Sequence, residues 1–251
     1  MDLDLKNKNA WVGGSSSGLG LATAIELSLL GAAVTLCGRN EDALKAALGQ
    51  LDTGAGQRHG YLRMDFSEGD ACRKAFAQLA AERPLHILIN NTGGPPPGAA
   101  FAAAPEQYRD FFEMQLVNFQ AFVQAAVPAM KAAAYGRIVN ITSTSTKAPI
   151  AGLGISNVVR AAVANWGKSL ATELGPYGIT VNNVLPGSHD TERLKELYSA
   201  ERMQEAISRI PAGRLGQPRE FGAVVAFLCT PAASFINGVN LPADGGQLGG
   251  L

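Results

Sequence analysis

The stretch Ala10-Trp11-Val12-Gly13-Gly14-Ser15-Ser16-Ser17-Gly18-Leu19-Gly20 decides the fold. A short apolar strand pattern, residues 10–13, runs into a loop of glycines and serines, and residues 21–30 then repeat apolar side chains at helical spacing. Backbone N–H groups at a helix N-terminus bind anions, and glycine lets a diphosphate come close to the chain. Gly14, Ser16, Ser17, Gly18, Leu19 and Gly20 are therefore the candidate contacts to the diphosphate of a dinucleotide. The glycine spacing is one residue wider than the common dinucleotide fingerprint. Turns use the same residues, so it is the position between strand and helix that gives the loop its meaning.

The next strand ends in Cys37-Gly38-Arg39-Asn40. An acidic side chain there would take the ribose 2′-hydroxyl of NAD; Arg39 instead offers a guanidinium to a 2′-phosphate, which favours NADP(H) over NAD(H). A solvated arginine in a βα turn is the plainer account of the same residue. Asp65, followed by Phe66 after the third strand, sits where an adenine could be bound; as an N-cap for the following helix it could serve both ends.

Strand patterns at residues 10–13, 33–37, 61–64, 86–90, 137–142, 179–184 and 238–241 alternate with helical patterns at 21–30, 42–51, 71–81, 108–133, 158–174 and 221–229. Strict alternation predicts parallel strands joined by right-handed crossovers, with strands apolar on both faces. The expected fold is α/β: one doubly wound, Rossmann-type domain over residues 1–251, a seven-stranded parallel sheet of order 3-2-1-4-5-6-7 with helices on both faces. The excursion at about 187–216 reads as a substrate lid, with Leu194, Leu197, Met203 and Ile207 among charges; a solvated or partner-facing helix pair is the alternative. Lysine and arginine total 21, as do aspartate and glutamate, so no electrostatic footprint for nucleic acid or an anionic membrane appears. No apolar run reaches the roughly 18 residues of a membrane span, and no apolar signal core precedes the first strand. The cysteines Cys37, Cys72 and Cys229 are odd in number and widely spaced, as expected of buried thiols in a reducing compartment, with no metal role. The expected location is cytoplasmic, and the expected partner is a small-molecule substrate.

These residues together resemble the short-chain dehydrogenase/reductase superfamily over essentially the whole chain, and most of all its 3-oxoacyl-(acyl carrier protein) reductase-like members. Gly14, Gly18 and Gly20 match the glycine motif; Asn90-Asn91-Thr92-Gly93 resembles the motif after the fourth strand; Val117-Asn118 falls where a helix carries the Asn of the catalytic tetrad. Residues 138–143 resemble the fifth strand ending in the catalytic Ser, here Ser143. Leu185-Pro186-Gly187 resembles the turn covering the nicotinamide, with His189 and Thr191 beyond it, and Gly213-Arg214-Leu215-Gly216 and Asp244-Gly245-Gly246 resemble the C-terminal signatures. The resemblance implies cofactor contacts from Asn91, Gly93, Pro186, Gly187 and His189. It also implies a homodimer or homotetramer, and the apolar tail Leu248-Gly249-Gly250-Leu251 fits burial against a neighbour.

The departure lies in the chemistry. Counting the family spacing from Ser143 puts Ser156 at the position of the catalytic Tyr and Arg160 at that of the Lys, and no Tyr occurs between Tyr135 and Tyr177. Asn118, Ser143, Ser156 and Arg160 are thus the implied tetrad. A phenol has a pKa of about 10 and an aliphatic hydroxyl is far less acidic. A guanidinium does not exchange protons at neutral pH, yet it can hold ribose, grip a carboxylate or phosphate, or stabilise an oxyanion. Loss of a general acid costs about 10²–10⁴ in rate, which weakens a reductase without abolishing it. His189 is the candidate replacement donor, against the reading of a plain loop histidine. Gly93-Gly94-Pro95-Pro96-Pro97-Gly98 reads as a stiff pocket wall or a structural turn. Three functions fit: an NADP(H)-dependent oxidoreductase acting on a carbonyl or alcohol with an altered tetrad, a nucleotide-binding module without redox turnover, and a lyase or isomerase using Arg160 to hold an enolate.

Overall fold

Successive side chains of each central strand enter opposite apolar layers, as the period of two in an extended chain requires. The computed structural model describes residues 1–249, apart from the side chain of Leu197. The chain runs β1 (Asn9–Val12), α1 (Gly18–Leu29), β2 (Ala33–Gly38), α2 (Glu41–Leu48), β3 (Gly60–Arg63), α3 (Gly69–Glu82), β4 (Ile87–Asn90), α4 (Pro105–Phe112), α5 (Asn118–Ala132), β5 (Gly136–Ile141), α6 (Gly154–Leu174), β6 (Ile179–Pro186), α7 (Glu192–Leu197), α8 (Ala200–Ser208), α9 (Pro218–Leu228) and β7 (Asn240–Ala243). The seven strands form one sheet, β3-β2-β1-β4-β5-β6-β7, and every adjacent pair is parallel. This is the expected doubly wound α/β fold.

In β1, Ala10 and Val12 enter the layer under α1, α2 and α9, where Leu27, Leu44 and Phe221 pack; Trp11 enters the layer under α3, α5 and α6. There Trp11 meets Phe66, Phe76 and Phe122, and Phe76 stacks on Phe122 at 4.3 Å between ring centroids. Cys37, Cys72 and Cys229 are unpaired and buried, and burial pushes the Cys72 and Cys229 thiols up to about 12, so they remain protonated hydrophobes. Among the described residues no helix is long and apolar enough to cross a membrane.

Three sequence expectations change. The helix expected over 108–133 begins at Pro105 and is interrupted by a π-helical turn, Glu113–Val117, before α5. The last strand starts at Asn240, because Gly238 sits at φ +74° and turns the chain. The central strands are buried on both faces but are not apolar throughout. Asn90, Asn140, Asn183 and Asn240 occupy one register row across β4, β5, β6 and β7. Asn90 Nδ2 donates to Asn140 Oδ1 (2.8 Å), Asn140 Nδ2 to Asn183 Oδ1 (2.9 Å), and Asn183 Nδ2 to Asn240 Oδ1 (2.8 Å). Gly167 of α6 lies over this row: a Cβ there would stand 2.7 Å from Asn140 Nδ2.

Within the expected lid, residue 216 pairs with residue 189 as an isolated parallel bridge, which closes the base of the excursion. α7 and α8 stand above it, and the Glu205–Arg209 pair is an ion pair one turn apart at 2.5 Å. The Leu197 side chain, and Gly250 and Leu251 of the tail, lie outside the described residues.

The amide row yields a stability prediction. Asn140→Ala removes one bond on each side and leaves the Asn90 donor and the Asn183 acceptor buried without partners. Urea unfolding is expected to show a loss of about 2–4 kcal/mol. A loss under about 0.5 kcal/mol would show that the row is energetically idle.

Candidate active site

The loop between β1 and α1 is built for close approach. Gly14 and Gly18 adopt φ +54° and +58°, which a side chain would strain, and a Cβ on Gly20 would lie 2.2 Å from the Gly14 carbonyl oxygen. Ser15, absent from the sequence-based set, is the strut of the loop: its hydroxyl donates to Val12 O (2.7 Å) and accepts from Cys37 N (2.9 Å). Asn91 is a second strut, with Nδ2 donating to the Gly13 and Gly14 carbonyls at 3.0 and 3.2 Å. Ser17 occupies the N-cap of α1, yet its side chain makes no capping bond and the first turn holds no acidic residue. The positive end of the helix dipole is therefore left to an outside anion, as a diphosphate cradle requires. Ser16 stands over Gly38, where a Cβ would be 3.3 Å from Ser16 Oγ, and Leu19 packs against the core of the first layer. Thr191 caps α7 and closes on the loop, 3.7 Å from where a Gly18 Cβ would be.

At the ends of β2 and β3, Arg39 is exposed and its carbonyl accepts from Arg63 Nε (3.2 Å), so a second arginine side chain reaches the Arg39 backbone. Arg63 went unnoticed in the sequence because it is the last residue of an edge strand; only the Gly38–Arg63 register shows the neighbourhood. The Asp65 carboxylate accepts from the Ser67 backbone N–H and hydroxyl at 3.0 and 2.8 Å, and these bonds, with Arg39 nearby, hold its pKa below the usual value. Asp65 is not a helix cap, since α3 starts from Glu68. Phe66 buries its ring in the aromatic cluster, leaving only its backbone near the surface; its carbonyl accepts from Asn118 Nδ2 at 2.9 Å.

That bond engages the amide that the resemblance places in the tetrad. Its other side-chain atom accepts from Arg73 Nη1 (2.9 Å), and Arg73 also pairs with Asp70 and Glu113. The Asn118 amide is thus spent joining α5 to α3 and to the turn after β3. The amide beside the β4 exit is that of Gln115, in the π-helical turn: fully buried, its Nε2 donates to Gly93 O (3.3 Å) and its Oε1 has no protein partner. The sequence signal was present, for Gln115 heads the row Phe119, Phe122, Ala126 and Met130, a lone amide leading a buried apolar stripe.

Ser143 follows β5 and caps a short 3₁₀ turn, accepting from Ser145 N at 3.1 Å. Ser156 and Arg160 lie one turn apart on α6. Arg160 is 8% exposed, and its Nη1 donates to Ile141 O (2.8 Å), two residues before Ser143. Burial, with the charge of Arg193 second, lowers its pKa to about 10, so it stays protonated at neutral pH. The wall of prolines spans the gap between strand and helix. Gly98 pairs with residues 152–154 (Gly98 N to Gly152 O 2.7 Å, Gly154 N to Gly98 O 2.9 Å), and Arg193 of α7 donates to the Gly94 carbonyl (3.1 Å). Gly93, Gly94, Gln115, Arg160 and Arg193 thus meet beyond the C-terminal ends of β4 and β5, where open α/β sheets bind ligands. Pro186 ends β6, and a Cβ on Gly187 would lie 2.7 Å from Asp244 Cβ, so the turn is held tight against the end of β7.

His189 belongs to a different wall. It is buried against Gly216 and Phe221 (ring centroids 5.4 Å), beside a cavity of about 220 Å³ lined also by Arg214 and Glu220, and its Nδ1 meets Gly187 O at 3.1 Å. Burial lowers its pKa, leaving a neutral ring that is a poor acid near pH 7.

A pH prediction follows from the histidines. His86 and His189 are both lowered, chiefly by burial. Each then favours folding fully above the unfolded value of about 6.5, and that contribution is lost as pH falls below it. Denaturant unfolding is expected to weaken between about pH 7 and pH 5, above the carboxylate range. His189→Gln should flatten part of this slope; an unchanged slope would remove His189 from the account.

The family model described as enoyl-(acyl carrier protein) reductase matches residues 14–247. The chain is 31% identical over 247 residues to the 3-oxoacyl-[acyl-carrier-protein] reductase FabG of Vibrio cholerae, covering 98% of this chain and 99% of that one. Its structure is similar to L-sorbose reductase from Gluconobacter frateurii complexed with NADPH and L-sorbose (28% identity, all of both chains, TM-score 0.92). It is also similar to a 3-oxoacyl (acyl-carrier-protein) reductase from Agrobacterium tumefaciens C58 with NADP bound (27% identity, 97% and 95% covered, TM-score 0.90). With the sheet order, the glycine cradle and these matches together, the chain belongs to the short-chain dehydrogenase/reductase family of NAD(P)-dependent oxidoreductases.

Proposed function

We propose that the protein is an NADP(H)-dependent oxidoreductase of a carbonyl or alcohol substrate, 3-oxoacyl reductase-like in frame, in which Ser156 and Arg160 stand where the family carries Tyr and Lys. The observation that carries the reading is the phosphate cradle: an uncapped α1 N-terminus over glycines closed to side chains by a blocked Cβ position at Gly14 and Gly20 or by positive φ at Gly14 and Gly18. Arg39, with Arg63 beside it, supports a 2′-phosphate, and the similar Agrobacterium and Gluconobacter structures hold NADP and NADPH. Asp65 and the Phe66 backbone would border the adenine, Gly93 and the Pro186-Gly187 turn the nicotinamide end. When bound, the nicotinamide supplies or accepts the hydride.

The chain's own residues do the rest. Ser143 orients the substrate oxygen by a hydrogen bond. Arg160 brings a permanent positive charge to the developing oxyanion in a site that excludes most water, where such charge is most effective. Ser156 lacks the acidity of a phenol, so its hydroxyl serves as a relay that holds a water, and the proton taken up by the alkoxide is replaced through that water from bulk solvent. Gln115, whose Oε1 has no protein partner, is the amide able to hold that water in place of Asn118.

The test is a fluorescence titration with NADPH and NADH, followed by turnover with carbonyl compounds. Arg39→Ala should weaken NADPH binding by about tenfold or more, the equivalent of about 1.4 kcal/mol, with NADH little changed. Ser143→Ala should lower kcat by about 10²-fold with KM nearly constant. NADPH bound but never consumed would replace the enzyme with a nucleotide-binding module; no binding of either nucleotide would end the cofactor assignment.

A further inference from the structure

Two guanidinium groups converge on one backbone position. A Cβ on Gly94 would lie 3.3 Å from Arg160 Nη2 and 3.3 Å from Arg193 Nη2. Arg160 comes from α6, behind the site, and Arg193 from α7, in the excursion above it. Among the described residues neither forms a salt bridge. Their protein partners are backbone carbonyls, Ile141 O for Arg160 and Gly94 O and Pro95 O for Arg193. Like charges held this close repel, and one of them is nine-tenths buried. The depressed pKa of Arg160 has the charge of Arg193 among its causes. A carbonyl dipole satisfies a donor but does not cancel a charge, so the arrangement lacks one negative group. Glycine at position 94 keeps the space between the two guanidinium groups open.

We infer that Arg160 and Arg193 together form a clamp for an oxyanion group, a carboxylate or phosphate, carried by the substrate. The inference rests on the proposed function, because it places this group beside Gly93 and Ser143 as a specificity element of the same site. The clamp assigns a role to Arg193, which reaches its partners across 98 and 99 residues of sequence. It also couples substrate to the excursion: an anion bridging the two side chains draws α7 toward α6.

The experiment follows the thermal unfolding of the protein saturated with NADPH, so that the cofactor phosphate sites are filled. Pyruvate, oxalate and inorganic phosphate are each compared with chloride at equal ionic strength. At least one of these probes should raise Tm above chloride, and whether the carboxylates or the phosphate act identifies the group. The shift should vanish in Arg193→Gln, an exposed position whose loss leaves the core intact, and persist in Arg39→Ala. Equal Tm in every salt, or a shift that survives Arg193→Gln, overturns the clamp. NADPH binding, read by fluorescence on the same samples, reports separately on the proposed function: bound cofactor without an anion effect removes only the clamp. Failure to bind NADPH removes the oxidoreductase reading, and the same salt series on that protein still decides whether the arginines hold an anion.

Discussion

The row of four asparagines, three of them buried and the last exposed on the edge strand, is the constraint on which the site depends. A parallel sheet can slip by two residues and still keep apolar faces inward, because side-chain direction repeats every second residue. The row removes that freedom. Asn90, Asn140 and Asn183 are buried, and each would lie against hydrocarbon in a shifted register, where an unpaired polar group is costly. With β4, β5, β6 and β7 locked at Asn90, Asn140, Asn183 and Asn240, the residues just beyond them are locked as well. Asn91 then meets the phosphate loop, Ser143 ends the fifth strand, and Gly187 meets Asp244. Gly167 completes the device, since a side chain there would collide with Asn140 and Asn183.

Charge is distributed around this frame in a way that the total hides. The formal charge of the chain is zero, yet Arg39 and Arg63 stand at the ends of β2 and β3, and Arg160 and Arg193 beyond β4 and β5. Among the described residues none of the four is in an ion pair, while Arg73, Arg209 and Arg214 elsewhere all are. A balanced total charge does not reveal this local grouping of cations, which only the folded positions bring together.

How much of this was legible depends on whether the signal is local. The alternation of strands and helices, the Gly-rich loop and the exposed Arg39 are local, and the structure has them in the expected order. Strand composition alone suggested apolar faces because it does not reveal register, and only register turns four scattered asparagines into a row. The tetrad amide was expected at Asn118 because the resemblance puts the family's Asn on this helix; a π-helical turn inserts its extra residue just before it, leaving Asn118 bound to α3 and Gln115 beside Gly93. Arg193 was hidden for another reason. Its contact with the proline loop depends on how the excursion folds back, which no spacing in the sequence encodes.

Under the proposed function, an arginine at position 160 where the family carries a lysine changes what that position can do. A buried ammonium can lend and recover a proton; a guanidinium whose pKa is about 10 even when buried keeps its own throughout. Its contribution must therefore be charge and geometry. Holding that charge out of water against a single carbonyl destabilises the empty site, and a negative group arriving there relieves the strain on both Arg160 and Arg193. Binding and catalysis would then draw on the same source: the oxyanion that satisfies the guanidinium groups is held beside Ser143, while proton transfer passes to water ordered by Ser156 and Gln115. Under the proposed function, the missing phenol and the two unpaired arginines would form one adaptation, in which electrostatic stabilisation of the substrate takes over from a resident acid.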